Sequence, residues 1–273
     1  KIYLEKLFFD LIDLDCFGCP NAFLQPIIQV MAFDGILILS SSDGRSTTGH
    51  DHAGAIRTLS ASTRTHPASW EIALRFQLAA IARQAWLLGR GVEPLVCFSE
   101  GRTFRIMVRL KRHLALNEES QLGFIARCYS CGGQTSQALL KFRDWERCCC
   151  NSGSIPLAIN GPLWLGPLQS EDVLNKMKRL SDNSQSSITS RSRKLIDRLE
   201  SDQGLPVFSW STHELASRLS LKSPPPLDLL IKLLKTEGFQ AFRNGVVPGQ
   251  FRTNASIREL LRVCEQRLPE GFK

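Results

Sequence analysis

Two short stretches of this chain hold residue types whose order and spacing can do chemistry. The first is Asp15-Cys16-Phe17-Gly18, a carboxylate, a thiol and an aromatic ring followed by a glycine. It closes an apolar run, and in open α/β sheets the ligand crevice lies beyond the carboxyl ends of such strands. The second is Cys128-Tyr129-Ser130-Cys131, followed by Cys148-Cys149-Cys150. Two close pairs of thiolates complete a tetrahedral structural zinc site, and the interval between these pairs suits a ribbon. Cys148 and Cys150 are the expected second pair, with Cys149 as the substitute. The competing readings are free thiols for the cysteines and a helix N-cap for Asp15.

The surrounding elements must deliver Asp15 to a crevice. Leu7, Phe8, Phe9, Leu11, Ile12 and Leu14 are too continuous for a half-exposed strand, so the run from Lys6 reads as a central parallel strand buried on both faces, with Asp15 at its C-terminal end. Residues 21–33 have helical spacing, and residues 36–39 form a second short strand running through three serines into Asp43. A right-handed crossover then sets Asp15 and Asp43 side by side. Residues 46–69, rich in Ser, Thr, Gly and His, read as a long active-site loop.

Residues 67–89 carry the strongest helix pattern, with Glu71 and Arg75 spaced for an i,i+4 pair. Residues 93–99 and 103–110 flank a turn so short that only a hairpin fits. In the second of these strands Arg105, Arg109 and Lys111 alternate with apolar residues, giving a basic face for RNA or for solvent.

Further on, helices over 172–180 and 190–200 flank a serine-rich linker. A capping box from Ser211 to Glu214 starts the next helix, and Pro224 to Pro226 start another that Gly238 closes. Residues 239–243 and 246–252 can pair around Asn244-Gly245 before a last helix from Asn254. Two helices, a basic hairpin and a final helix suggest a winged-helix-like RNA-binding module, with Arg243 and Arg252 as phosphate contacts.

The bulk numbers narrow the partner class. A chain of 273 residues, 43% hydrophobic and 22% charged, can build two real cores. A formal charge of +8 favours polyanions. Nine cysteines, an odd number, suit reduced thiols or a metal better than a secreted disulfide framework. No apolar run approaches the roughly 18–20 residues of a membrane span, and no secretory leader is read at the start, so the expectation is an intracellular protein without membrane contact.

Asp15-Cys16-Phe17-Gly18 resembles the Asp-Pro-Phe-Gly signature of the tRNA (guanine-26-N2)-dimethyltransferases, with Cys16 in place of proline. Further runs are similar to the same family: W-E-I-A-L-R at 70–75, I-A-R at 81–83, E-P-L-V-C-F-S at 93–99 and F-R-I-M-V-R-L at 104–110. So are Gly161-Pro162-Leu163-Trp164, G-F-Q-A-F-R at 238–243 and F-R-T-N-A at 251–255. Trp70 stands where that family is expected to carry histidine.

The resemblance implies an S-adenosylmethionine-dependent enzyme that methylates N2 of a guanine in tRNA. Its α/β fold would place the C-terminal strands of a Rossmann-like methyltransferase sheet, ending in an antiparallel hairpin, over residues 1–120. A zinc-ribbon-like insert would follow over 121–170 and an α+β winged-helix-like tRNA-binding domain over 171–273.

The same resemblance implies Asp15 and Phe17 as catalytic residues and Asp15 and Asp43 beside the cofactor. Cys16 and Phe17 would meet the RNA, together with Arg105, Arg109, Arg243 and Arg252 from the basic faces read above, and Cys128, Cys131, Cys148 and Cys150 would hold Zn2+. The family's glycine-rich cofactor turn has no counterpart before Lys6. The chain is therefore read as beginning after it, and is expected to bind the cofactor weakly or not at all by itself. The alternative function is a non-catalytic, zinc-containing binder of tRNA or other nucleic acid.

Overall fold

The apolar opening run becomes β1 (Phe9–Asp15) in the computed structural model, which describes residues 5, 7–145, 148, 150, 156–183, 188–202 and 204–272. After a 3-10 turn and the short α1 (Leu24–Gln29), the chain returns as β2 (Met31–Ser41), parallel to β1 with Asp15 opposite Ser40. The expected helix over 21–33 stops early. Arg90 collects the carbonyls of Ile28, Met31 and Ala32, and Met31 pairs with Phe9 as strand.

Residues 46–69 are not a structureless loop. They hold α2 (Gly44–Thr47) and α3 (His52–Leu59), and the polar residues that mask a helical pattern are its caps. Asp43 accepts from the Ser46 N–H at 3.1 Å and Asp51 from the Gly54 N–H at 2.8 Å.

Next comes α4 (Ser69–Trp86), which lays Ala73, Leu74, Leu78, Ile81 and Ala82 on the sheet, all buried. The hairpin β3 (Gly91–Glu100) and β4 (Thr103–Lys111) completes that sheet in the order β1-β2-β4-β3, with β4 antiparallel to both neighbours. The expectation of a central, doubly buried β1 is corrected. Among the described residues no strand pairs with its outer edge, and only one of its faces is covered: Ile12 and Leu14 pack on the core while Leu11, on the opposite face, is more than half exposed.

A second sheet follows, β5 (Leu122–Arg127), β6 (Gln134–Ala138) and β7 (Ala158–Trp164), antiparallel in the order β6-β5-β7. Leu163 of β7 and Ile125 of β5 join Ile72 and Phe76 of α4 in one buried cluster. Then α5 (Glu171–Asn183) and α6 (Ser190–Glu200) cover the other face of the first sheet, Leu174 and Leu199 packing on Leu95 and Val96.

The last module contains β8 (Ser209–Ser211), α7 (Thr212–Arg218), α8 (Leu227–Thr236), β9 (Ala241–Arg243), β10 (Gln250–Thr253) and α9 (Ile257–Arg267). Its antiparallel sheet runs β8-β10-β9 around Trp210, Leu215, Leu230, Leu234, Phe251 and Leu260. The expected capping box at α7 does not form: Glu214 pairs with Arg127 and Arg218, and a box forms instead at Ser256 and Glu259 of α9. Among the described residues no helix is long and apolar enough to cross a membrane.

Candidate functional site

Asp15 ends β1 at the same edge of the sheet where β2 ends in Ser41, and the loop that follows is tied to β2. Gly18 N donates to Ser42 Oγ at 2.8 Å, while Ser41 Oγ and Ser42 N donate to Gly18 O at 3.1 and 3.2 Å. Gly18 has φ +83°, a left-handed conformation that a side chain resists, so a glycine here turns the loop sharply. With its glycine pinned, the loop carries Phe17 outward, fully exposed.

The Asp15 side chain is 68% exposed, with Arg105 Nη2 3.9 Å from Oδ2. Asp15, Ser40, Arg105 and Phe98 form one cross-strand row. An accessible carboxylate, a cation and a free aromatic ring therefore share one mouth. Burial pushes the Cys16 and Cys19 thiols above their ordinary value, aided by the charges of Asp15 and Asp43 respectively, so neither is an activated nucleophile. Asp43 uses Oδ1 to cap α2. Beside it stands a pair that the sequence does not single out as such, Trp70 edge-on to Phe104 at 6.2 Å.

The expected RNA-facing arginines fall in different settings. Arg109 pairs with Glu93 at 3.1 Å and Lys111 with Asp34 at 2.6 Å, so the basic face of β4 is a row of surface ion pairs. Arg243 is half exposed and pairs with Asp228. Arg252 is a correction: it is fully buried and has no edge left for a phosphate. Its Nε and Nη2 donate to Asp202 at 2.7 and 3.0 Å, and its Nη1 donates to Glu71 at 2.8 Å.

The physical reason is that the β9–β10 hairpin folds onto α4 instead of reaching into solvent. Asn244, in its turn, is buried and donates to Glu71 Oε2 at 2.6 Å, beside Ser209 Oγ at 2.8 Å. Arg75 completes the network, donating to Glu71 at 2.8 Å and to the carbonyls of Trp164 and Gly166 at 3.0 and 2.9 Å. Burial raises the Glu71 carboxyl, but the charges of Arg252 and Arg75 outweigh it and hold it at about 2. A charged i,i+4 pair within an otherwise apolar helix is the one sequence signal for this cross-link.

The structure brings the four cysteines of the two sequence pairs together. Cys128 follows β5, Cys131 lies in the turn to β6, and Cys148 and Cys150 precede β7; all four ligand sulfurs lie within 4.8 Å of one another. Cys131 and Cys148 are 3.3 Å apart, Cys128 and Cys150 3.6 Å. Tetrahedral Zn–S bonds of about 2.3 Å require sulfurs about 3.8 Å apart, so the cluster has the size of a four-thiolate metal site. Gly133 N donates to Cys131 Sγ at 3.3 Å. Cys149 lies outside the described residues.

Neighbouring elements hold this knuckle. Tyr129 donates to Thr65 O at 3.0 Å, and Arg218 donates to Ser130 O at 2.6 Å. His66 bonds Gln134 Oε1 at 3.1 Å and accepts from Ala68 N at 3.0 Å. Burial, with the charge of Arg127, holds His66 down at about 4, so it is neutral.

Residues 2–265 match the family described as N2,N2-dimethylguanosine tRNA methyltransferase. The chain belongs to this family. Curated relatives named tRNA (guanine(26)-N(2))-dimethyltransferase include one from Pyrococcus furiosus, 30% identical over 271 residues, covering 97% of this chain and 67% of the relative. Another, from Schizosaccharomyces pombe, is 26% identical over 275 residues, covering 93% of this chain and 50% of the relative.

A solved complex of Trm1 from Pyrococcus horikoshii with S-adenosyl-L-methionine superposes with a TM-score of 0.79 at 24% identity. That match covers 93% of this chain and 66% of the solved one, and it shows that the α/β fold with mixed sheets is shared. The chain thus spans half to two thirds of the length of these relatives.

Proposed function

We propose that this chain carries the guanine-facing wall of a tRNA (guanine-N2)-methyltransferase that takes its methyl group from S-adenosylmethionine. Its first sheet would then be the C-terminal strands of a Rossmann-like methyltransferase domain. The observation that carries the reading is the pairing of an exposed Asp15 with a fully exposed Phe17 at the carboxyl end of a parallel strand, in a member of this family.

Guanine N2 is a poor nucleophile because its lone pair is delocalised into the ring. Asp15 would accept a hydrogen bond from the amino group, offset the positive charge that grows on N2 as its bond to the methyl carbon replaces the carbon–sulfur bond of the sulfonium, and take the proton that N2 then sheds. The carbonyl of Cys16 accepts from the second N–H. Phe17 stacks on a base swung out of the tRNA, a contact worth about 1–3 kcal/mol. Arg105 steadies the charge of Asp15 and faces the RNA.

S-adenosylmethionine, when bound, supplies an electrophilic sulfonium methyl. The strand ends would offer such a group two carboxylates, Asp15 and Asp43, the latter with Oδ1 engaged in capping α2. Cys128, Cys131, Cys148 and Cys150 hold one Zn2+ in a structural role, fixing the β5–β6 turn against β7. The α7–α9 module, winged-helix-like in its order, binds tRNA.

Because this chain is expected to bind S-adenosylmethionine poorly, the test is transfer of labelled methyl from a large excess of S-adenosylmethionine to a transcript tRNA by the wild-type protein and by Asp15→Ala. Labelled N2-methylguanine with the first and its loss with the second are expected. Undiminished transfer by Asp15→Ala, or label on another base, overturns the assignment. Elemental analysis is expected to find one zinc per chain and none after Cys131→Ser.

A further inference from the structure

Most cations around the first sheet are neutralised by nearby carboxylates. Arg109 has Glu93, Lys111 has Asp34, Lys176 has Asp172, and Lys178 has Asp182 and Asp197. One group departs from this. Where α6 runs past the β3–β4 turn, Arg191, Lys194 and Arg198 line a cavity of 320 Å³ whose one lining carboxylate is Glu100. Glu100 pairs with Arg191, which is 79% exposed. Lys194 is exposed and has no carboxylate partner among the described residues, and the Nε of Arg198 is buried without a partner. Three cations around one carboxylate leave a surplus of two positive charges.

The position of that surplus gives it meaning. Both β2 and β3 run antiparallel to β4, so Glu100, the last residue of β3, lies at the same end of the sheet as Asp15. The row Asp15-Ser40-Arg105-Phe98 crosses three inter-strand steps, about 14 Å, and Glu100 lies two residues beyond Phe98. Phe98, which shares a face with Arg105 in the cross-strand row, and Leu195 of α6 pack against the same buried cluster, so the cavity lies on the face of the sheet that carries Arg105. Arg105 thus stands between the carboxylate and the cavity.

We propose that Arg191, Lys194 and Arg198 form a subsite for backbone phosphates of the same RNA whose base is presented at Asp15, with Arg105 as the step between. This rests on the function proposed above and names where the substrate backbone is held. The chemistry is that of a phosphate site: two planar guanidinium forks and an ammonium converge, and a phosphate oxygen accepts several of their N–H bonds at once. Glu100 then competes with the phosphate for Arg191 and occupies it when no RNA is bound.

The experiment is anisotropy of a labelled transcript tRNA titrated with the purified chain across a salt series. Each phosphate contact contributes about 0.7–0.9 to the slope of log affinity against log salt, so the double variant Arg191→Ala/Lys194→Ala is expected to lose about 1.5 and to bind about tenfold more weakly at low salt. Glu100→Gln is expected to move the other way, binding more tightly. A contact that merely anchors α6 to the sheet predicts instead that Glu100→Gln destabilises the fold and gains no affinity. Lys176→Ala, already neutralised by Asp172, is the control and should bind as wild type.

An unchanged slope in the double variant, or no gain in affinity by Glu100→Gln, overturns the subsite while leaving the methyltransferase reading intact. A wild-type chain that binds no tRNA overturns both. Arg191 and Lys194 are exposed, so their variants are expected to melt with the wild type, which a thermal scan verifies.

Discussion

Asp15 with Arg105 and Asp202 with Arg252 are pairs of the same two residue types in opposite surroundings. The first is 3.9 Å apart with side chains 68% and 40% exposed; the second is 2.7 Å apart, 1% and 0% exposed. Water around the first pair cuts its attraction to roughly 1 kcal/mol, so Asp15 keeps oxygens that a ligand can take. The second pair is sealed with Glu71, Arg75, Ser209 and Asn244, and nothing from solution can exchange into it. Exposure, more than residue type, decides which charge stays open to a ligand and which joins elements.

Breaking the sealed pair should give the largest effect. Arg252→Met leaves Glu71 and Asp202 buried with one cation fewer, and is expected to cost about 3–5 kcal/mol of stability in urea unfolding. Methyl transfer and tRNA binding should fall together with folding. A variant as stable as the wild type would mean that the cross-link is dispensable, and the contrast between the pairs would fail.

Asp15→Asn is expected to do the reverse. Loss of one preorganised electrostatic contact typically lowers kcat about 10²–10³-fold, and the unfolding midpoint should not move because the side chain is mostly solvated. Equal losses of activity and stability would show that Asp15 is a structural residue. Phe17→Ala, which removes a fully exposed ring, should act more weakly and on the RNA, by about 1–3 kcal/mol of substrate affinity.

The sequence reading of Asp15 at a strand end and of the cysteine pairs depends on local order, which is why both are legible. The hairpin of β3 and β4 is legible for the same reason. Arg252 is not, because its partners are 50 and 181 residues away and an arginine in a short strand looks like surface until the hairpin is seen docked on α4. The edge position of β1 is equally hidden, since a continuous apolar run looks the same whether or not a strand pairs beside it. α2 and α3 escape notice because Asp43 and Asp51, the residues that start them, also typify loops.

Acid sharpens the comparison through two buried groups. His66 has an ordinary value of 6.5 and a folded value of about 4, so between these the unfolded chain takes up a proton that the fold refuses. Stability should therefore fall as pH drops from 6.5 to 4, by roughly 2 kcal/mol at pH 5 from this group alone. His66→Gln should flatten that slope. Glu71 moves from 4.5 to about 2 and stays ionised in the fold, so its contribution is complete above 4.5 and is lost as pH falls towards 2. A His66→Gln variant that kept the full loss between 6.5 and 4 would assign it to other groups.

The smallest effect belongs to the other arginine of the β9–β10 hairpin. Arg243 is half exposed and meets Asp228 at the surface, so Arg243→Ala should change stability by less than about 0.5 kcal/mol, against several for Arg252→Met one strand away. Because folding is then untouched, any loss of tRNA affinity in Arg243→Ala reports a direct phosphate contact, a distinction that no variant of Arg252 can make. Destabilisation by Arg243→Ala comparable to that of Arg252→Met would mean that the whole hairpin, and not its buried arginine, holds this module to α4.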